Sequence, residues 1–473
     1  MFNRRKFLAG ALAGAPAIAR KLQAQAGAQP RKDDGYRGIW YFNQPSDDQY
    51  VYKYSGGFAT YPQQHAPIAI YSKAAQKTFF CYGGSLKDKP ELLHMVSYYD
   101  HKTGMVPRPT ILLNKHTDDA HDNPTIALDD RGYIWIFSSS HGTTRPSFIH
   151  RSQRPYSIDA FERVLETNFS YTQPWYLTGH GFLFLHTRYR QLGDEKGASG
   201  RALYSMSSLD GVSWSKPREI AFAGQGHYQV SWPNQAGTRL GTAFDFHPDP
   251  GGLNQRTNLY FMQTVNAGLS WESVEGEGLL LPISSEEGPA LVRNYRKEGL
   301  LVYLKDIQYD AQGRPVLLYL TSKGYEPGPR NGPRQLCLAR WAGTEWRFST
   351  ITETDHNYDH GSLYLEGSVW RFIGPTGAGP QAWSTGGEVE NWESLDEGLT
   401  WKRTQALTKN SERNHSYVRR PLNAHPDFYA FWADGNALKP SESCLYFANQ
   451  KGQVFRLPPV MKGRLEKPEL LGA

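Results

Sequence analysis

The chain has 473 residues, of which 13% are aromatic, with 46 Gly, 30 Pro and only three Cys. That balance describes a turn-rich β protein with many large rings to bury, and it argues against a disulfide framework. The formal charge of +6 is local: five of the 52 basic residues lie in the first 26 positions, which hold no acid, and the other 47 face 46 acids. No global field then steers nucleic acid, so an anionic ligand has to be met by individual arginines.

Along the chain, Arg4-Arg5-Lys6-Phe7-Leu8 opens a 13-residue apolar run that ends at Ala19, and Ala24-Gln25-Ala26 supplies a small-x-small cleavage pattern. This reads as a twin-arginine export signal over residues 1–26, which predicts a periplasmic or extracellular protein. The run is too short for a bilayer core of roughly 30 Å, and no later stretch reaches the ~20 apolar residues of a membrane helix. No membrane partner is therefore expected. Residues 27–36 read as a linker, 37–460 as one repeat domain and 461–473 as a C-terminal tail. Cys81, Cys337 and Cys444 show no paired spacing of a zinc or redox motif.

Segments of one type begin at His65, His121, Tyr171, His227, Asp306, His360 and His415, at intervals of 56, 50, 56, 79, 54 and 55 residues. Each is a polar leading residue, an apolar strand, a Gly- or Asp-containing turn and a second strand rich in Phe, Tyr, Trp, Val and Ile. Repeats of about 50 residues with this content predict an all-β, seven-bladed β-propeller. The 79-residue interval places an insertion near 275–299. The seven leading residues, five of them His, are expected to face a water-filled central channel.

Ser394-Leu-Asp396-Glu-Gly398-Leu-Thr400-Trp401 fits the Asp-box pattern S-x-D-x-G-x-T-W, with degenerate copies at Ser208–Trp214 and Asn266–Trp271. Their fixed place late in each repeat predicts a structural turn between outer strands. Asp and Gly would satisfy that turn while Trp packs between sheets.

His121 and His141 stand at the two ends of one inner hairpin, which should bring them together on one rim. Imidazoles there suit proton transfer, although paired structural histidines would look the same. Arg188 and Arg190 flank Tyr189, and Arg201 and Arg256 lie on loops beside the same rim. A guanidinium fork matches a carboxylate, yet any single arginine also reads as a solvated surface charge. His356 and His360 have i,i+4 spacing but lead into a strand, which argues against a helical zinc pair. No phosphate loop, dinucleotide fingerprint or G-x-S-x-G elbow occurs.

At these residues the chain resembles the BNR-repeat polysaccharide lyases, a group that includes ulvan lyases and L-rhamnose-α-1,4-D-glucuronate lyases, and the related propeller α-L-rhamnosidases. The resemblance spans nearly all of the chain after the signal. It is strongest to the rhamnose–glucuronate branch in DDGYRGIWYFNQ, YKYSGGFATYPQQHAP and TFFCYGG. It implies a seven-bladed propeller with one active site at the channel mouth. In that family two histidines about 20 residues apart frame the site, matched here by His121 in HDNPTIALD and His141 in SSSHG. Arg201 and Arg256 match the family's arginines by motif, and Tyr189 matches its tyrosine by position.

The rhamnosidases instead carry a catalytic His just before the first inner strand. Here Gln63 stands there, with His65 two residues on, and a glutamine cannot exchange a proton. The F/Y-R-I-P arginine motif of sialidases is absent.

The resemblance thus implies an exo-acting lyase that removes terminal rhamnose from glucuronate by β-elimination. His141 is the expected base, assisted by His121 or Tyr189. Arg201 and Arg256 are expected to clamp the carboxylate, with Gln63, His65 and Arg188 as further substrate contacts. The alternatives are a rhamnosidase, an ulvan-type endo-lyase or a glycan-binding propeller without catalysis. No cofactor is expected, a structural metal in the channel is left open, and the protein is expected to act as a monomer on an acidic rhamnose- and glucuronate-containing glycan.

Overall fold

Each of the seven repeats becomes one antiparallel sheet, because each carries its own run of strands joined by tight turns. The computed structural model describes residues 31–87, 89–193 and 199–472. The export signal at 1–26 and the first part of the expected linker lie outside them. Blades 1 to 7 cover 69–114, 124–167, 170–221, 229–293, 301–354, 362–406 and 414–470, and together they form the predicted seven-bladed propeller. Blades 1 to 6 have four strands each and blade 7 has five. No helix among the described residues is long and apolar enough to cross a membrane.

The Asp boxes are the turns between third and fourth strands, where the repeat placed them. In blade 6, Gly398 N–H donates to Ser394 Oγ (2.9 Å), Thr400 N–H to Asp396 Oδ1 (2.9 Å) and Trp401 Nε1–H to the Gly398 carbonyl (3.1 Å). Gly211, Gly268 and Gly398 share φ values of 74°, 82° and 82°, a region that disfavours any side chain. Trp214 of the blade 3 box meets Phe137 of blade 2 and Phe182 and Phe184 of blade 3, so the box stitches neighbouring sheets. The insertion in the long fourth interval lies between the third and fourth strands of blade 4, Thr257–Thr264 and Leu291–Arg293.

Among the described residues the main sheets of the first and last blades exchange no strand, so the ring is closed by shorter contacts. The hairpin Trp40–Pro45/Tyr52–Gly57 precedes blade 1 and lies against blade 7. Gly38 N–H donates to the Ser443 carbonyl (2.9 Å), Leu422 N–H to Ala69 (2.8 Å) and Tyr71 N–H to Leu422 (2.9 Å). Phe80 of blade 1 packs on Phe428 and Phe431 of blade 7.

Two segments differ from the sequence reading. Tyr36, assigned to the linker, is fully buried and bonds Ser97 and the Pro107 carbonyl. The segment 461–473 is no free tail. Leu465–Glu466 pairs with Val106–Pro107, and Glu469–Leu470 is the fifth strand of blade 7. The first pairing joins residues hundreds of positions apart, the second folds back on Val454–Arg456 just upstream, and two-residue strands carry no alternating pattern to announce either.

Closure leaves no room at Gly57, where a Cβ would stand 1.6 Å from the Asp434 carbonyl oxygen. Gly57→Ala should cost at least about 3 kcal/mol, a magnitude reserved for severe backbone or core clashes. Gly278→Ala, where a Cβ meets nothing within 4 Å, should leave stability unchanged. Thermal or urea unfolding of the two variants side by side checks this; equal unfolding midpoints would contradict it.

Candidate active site

Two carboxylates organise the rim of blade 2. Asp119 caps the 3-10 turn Ala120–Asp122 by accepting the His121 amide (3.0 Å). Asp122, fully buried, accepts the His141 amide (2.5 Å) and a two-point fork from Arg145 Nε and Nη2 (2.9 and 3.0 Å). The loop after the strand Ile134–Ser138 is thereby fixed against the turn that starts the blade. As the repeat predicted, His121 and His141 come together, and their rings stack with centroids 4.1 Å apart and an 11° tilt.

Asp119 then holds both rings. Its Oδ1 lies 2.6 Å from His121 Nδ1 and its Oδ2 lies 2.9 Å from His141 Nδ1. Burial opposes ionisation of Asp119, but the two imidazoles outweigh it and hold the carboxyl well below its usual range. An ionised carboxylate only accepts, so both Nδ1 atoms donate and both lone pairs sit on Nε2. The two Nε2 atoms differ in what they meet. That of His121 is taken by Tyr61 Oη, with Tyr54 Oη at 3.1 Å. His141, 26% exposed, keeps its Nε2 for the cavity. Burial first, then repulsion from His141, pushes His121 down to about 4.

The cavity is small, about 120 Å³, and three cations border it: Lys53, Arg201 and Arg256. Arg256 is 2% exposed and bonds only neutral groups, the Leu253 carbonyl (3.1 Å) and Tyr358 Oη (3.0 Å). Arg201 lies opposite Tyr189 in the blade 3 ladder, with its Cζ 5.1 Å from that ring and 5.5 Å from Tyr228. Lys53 Nζ donates to Asn254 Oδ1 (2.6 Å) and Gln44 Oε1 (3.2 Å). Burial, then the nearby Arg256 charge, pushes its amine down to about 7. Among the described residues no carboxylate lies within 4 Å of any of these three cations. Buried positive charge of this kind needs an anion to offset it, and the cavity is where one fits.

Of the sequence-predicted residues, Gln63, His121, His141, Arg201 and Arg256 line the cavity. Tyr189 stands at its edge, its ring 5.7 Å from that of His141 and its hydroxyl without an internal partner among the described residues. Two expected substrate contacts are displaced. Arg188 is on the opposite face of its strand, over the Tyr204 ring at 5.6 Å, because successive strand residues alternate. His65 is fully buried and does not line the cavity, and its ring meets that of Tyr171 edge-on at 6.0 Å.

The leading histidines do not share one wet channel either. His227, in the segment that leads into blade 4, is tied to the Ala223 amide and the Asp245 carbonyl. His415 borders a larger groove of about 560 Å³ around blade 7. There Trp432 Nε1–H donates to its Nδ1, so Nε2–H points at Ser411 Oγ and no free base remains. His356 is bonded to the Lys53 carbonyl and the Tyr358 amide, as a structural residue would be.

Sequence reasoning missed Asp119, Asp122, Arg145, Lys53, Tyr54, Tyr61 and Tyr358. Asp119, two residues before His121, carried a readable capping signal. The others reach the site only through tertiary packing.

Asp119, His121 and His141 also form a possible metal ligand set. Ligands of one tetrahedral ion at ~2.0–2.1 Å stand roughly 3.3 Å apart. The 2.6 and 2.9 Å contacts are hydrogen bonds that an ion would have to replace.

A family model for BNR repeat-containing family members matches residues 94–354. An ulvan lyase of Pseudoalteromonas sp. (strain PLSV) is 28% identical over 316 residues, 57% of this chain and 60% of that one. An ulvan lyase of Nonlabens ulvanivorans is 23% identical over 416 residues, 77% and 81% of the two chains. The match to the Pseudoalteromonas protein therefore spans less than two thirds of its length. Among solved structures, the fold is similar to a polysaccharide lyase PL25 ulvan lyase bound to -[GlcA(1-4)Rha3S]-. The TM-score is 0.67 at 18% identity, over 89% of this chain and 96% of that one.

The hydrogen-bond pattern predicts that His121 stays neutral, protonated on Nδ1 and not on Nε2, at pH 6, two units above its folded pKa of about 4. Because that value lies below the ordinary 6.5, protons favour the unfolded state as pH falls from about 6.5 toward 4, and stability falls with it. Nitrogen-15 NMR of the ring reads the tautomer directly. An imidazolium signal for His121 at pH 6 would contradict the assignment.

Proposed function

The chain belongs to the BNR repeat-containing family, and from that premise we propose that it is a polysaccharide lyase that breaks the rhamnose–glucuronate bond by β-elimination. The observation that carries this reading is an oriented imidazole lone pair, His141 Nε2, at a cavity bordered by three cations that lack carboxylate partners among the described residues. Support for a uronate-containing glycan comes from the ulvan lyases among its relatives and from the glucuronate–rhamnose fragment held by the structural neighbour.

In the proposed reaction Arg201, Arg256 and Lys53 hold the C6 carboxylate and offset the charge that builds on it as H5 leaves. Preorganised charge of this kind is usually the largest catalytic term. His141 Nε2 takes H5, the C5–H electrons form the C4=C5 bond, and the C4–O bond to rhamnose breaks. The Tyr189 hydroxyl gives its proton to the departing oxygen and regains one from His141. The products are a 4,5-unsaturated uronate and a free rhamnose hydroxyl. Asp119 fixes the reactive tautomer of His141, and His121, held by Tyr61, completes the wall.

Exo action on a terminal rhamnose is the reading favoured by the sequence resemblance in DDGYRGIWYFNQ and YKYSGGFATYPQQHAP. Internal cleavage of an ulvan-type chain is the second reading, favoured by the relatives.

Incubation with a rhamnose-capped glucuronate glycan should raise the ultraviolet absorbance of the unsaturated uronate as rhamnose appears. Rhamnose released without that absorbance would mean hydrolysis, and unsaturated oligomers from ulvan would mean endo action. His141→Ala should lower kcat about 10²- to 10⁴-fold, the usual worth of a general acid–base group, and full activity in it would remove the base. Arg256→Lys should also impair turnover, since an ammonium cannot reproduce the two-point fork.

Lys53 adds a pH dependence. As its amine, with a folded pKa of about 7, loses its proton, kcat/KM for the anionic substrate should decline between pH 7 and 8. Lys53→Arg, charged throughout, should flatten that decline. An unchanged profile would take Lys53 out of the anion site.

A further inference from the structure

A second group of metal-capable side chains sits far in sequence from the cavity residues, on the seam where blade 1 meets blade 7. His101 follows the third strand of blade 1, Lys89–Asp100, while His425 and Asp427 lie in the loop between the first two strands of blade 7. The imidazole centroids are 3.9 Å apart, and the Tyr71 ring packs against both. His101 is 3% exposed at its side chain, with Nε2 bonded to Thr78 Oγ1 (2.8 Å) and Nδ1 without a partner among the described residues. With Nε2–H donated to the threonine, the Nδ1 lone pair faces the cluster. This is how a metal-bound histidine is held by its other nitrogen. Asp427 Oδ2 lies 3.9 Å from His101 Nδ1 and 3.6 Å from His425 Nδ1.

We propose that His101, His425 and Asp427 form a zinc site that clips blade 1 to blade 7. Ligand-to-ligand edges of 3.6 and 3.9 Å are a few tenths of an ångström wider than the roughly 3.3 Å of a tetrahedral zinc with ~2.0–2.1 Å bonds. Asp427, 59% exposed, is free to close that gap. Two imidazoles and one carboxylate suit a borderline divalent ion, and the fourth position opens to solvent. An ion at His425 Nδ1 displaces one bond, that from the Asp427 amide (3.1 Å).

The place gives the site its purpose. Each blade of this ring is built from a contiguous stretch of chain, and its ends are tied by short pairings such as Leu465–Glu466 with Val106–Pro107. A ligand that binds only the closed ring stabilises it by mass action.

The test uses the full-length protein freed of metal by chelation, then titrated with zinc by calorimetry and followed by thermal unfolding. One zinc per chain should bind, and saturating metal should raise Tm by about 3–5 °C. His425→Ala and Asp427→Ala, both at the surface, should fold, weaken that binding at least about 100-fold and lose the Tm rise, while His141→Ala keeps both. Zinc binding that survives His425→Ala, that is lost in His141→Ala, or that leaves Tm unmoved overturns the proposal.

Discussion

Everything at the cavity depends on the close approach of backbone to backbone where the ring shuts. Gly57 lies so near the Asp434 carbonyl that no side chain fits between them. That approach seats the Trp40–Gly57 region over the end of the propeller. The hairpin brings Lys53 and Tyr54, and the segment after it brings Tyr61, to face residues from blades 2, 3 and 4. A ring with its ends apart would keep seven good sheets and have no closed cavity.

Inside the cavity the balance of charge is uneven by construction. The nearest carboxylate to the reactive imidazole, Asp119, is committed to two Nδ1–H groups, and Asp122 is committed to Arg145 and the His141 amide. Neither remains to neutralise Arg201, Arg256 or Lys53. The same arrangement keeps His121 uncharged, since burial and a stacked neighbour both oppose a second proton. Tyrosines surround the guanidiniums instead, with Tyr303 under Arg256 at 4.3 Å and Tyr228 shared between Arg256 and Arg201. Rings of this kind hold a cation in place without cancelling its charge.

The histidine pair was legible because a hairpin turns back on itself: residues at its two ends must meet, whatever lies around them. Arg201 and Arg256 were legible through motif resemblance, and the burial of Arg256 was not. Arg188 shows the limit of that reasoning. It neighbours Tyr189 in sequence, yet strand alternation sends the two side chains to opposite faces, and proximity in sequence is the wrong guide within a strand. Lys53 shows the opposite failure, since YKYSGG carries no chemical signal and the lysine matters only because Asn254, from a blade 4 loop, lies over it. His415 led its repeat like the others, but Trp432 occupies the nitrogen that a base would need.

By itself the sequence determined the number and order of the blades, the Asp-box turns and the pairing of His121 with His141, because each follows from local periodicity or from one hairpin. Tertiary structure alone decided how the ring closes, which cations stand without carboxylates, and that 461–472 is woven into the propeller. Those outcomes rest on contacts between residues tens to hundreds of positions apart, where what matters is the space and charge left by other elements and no local pattern records it.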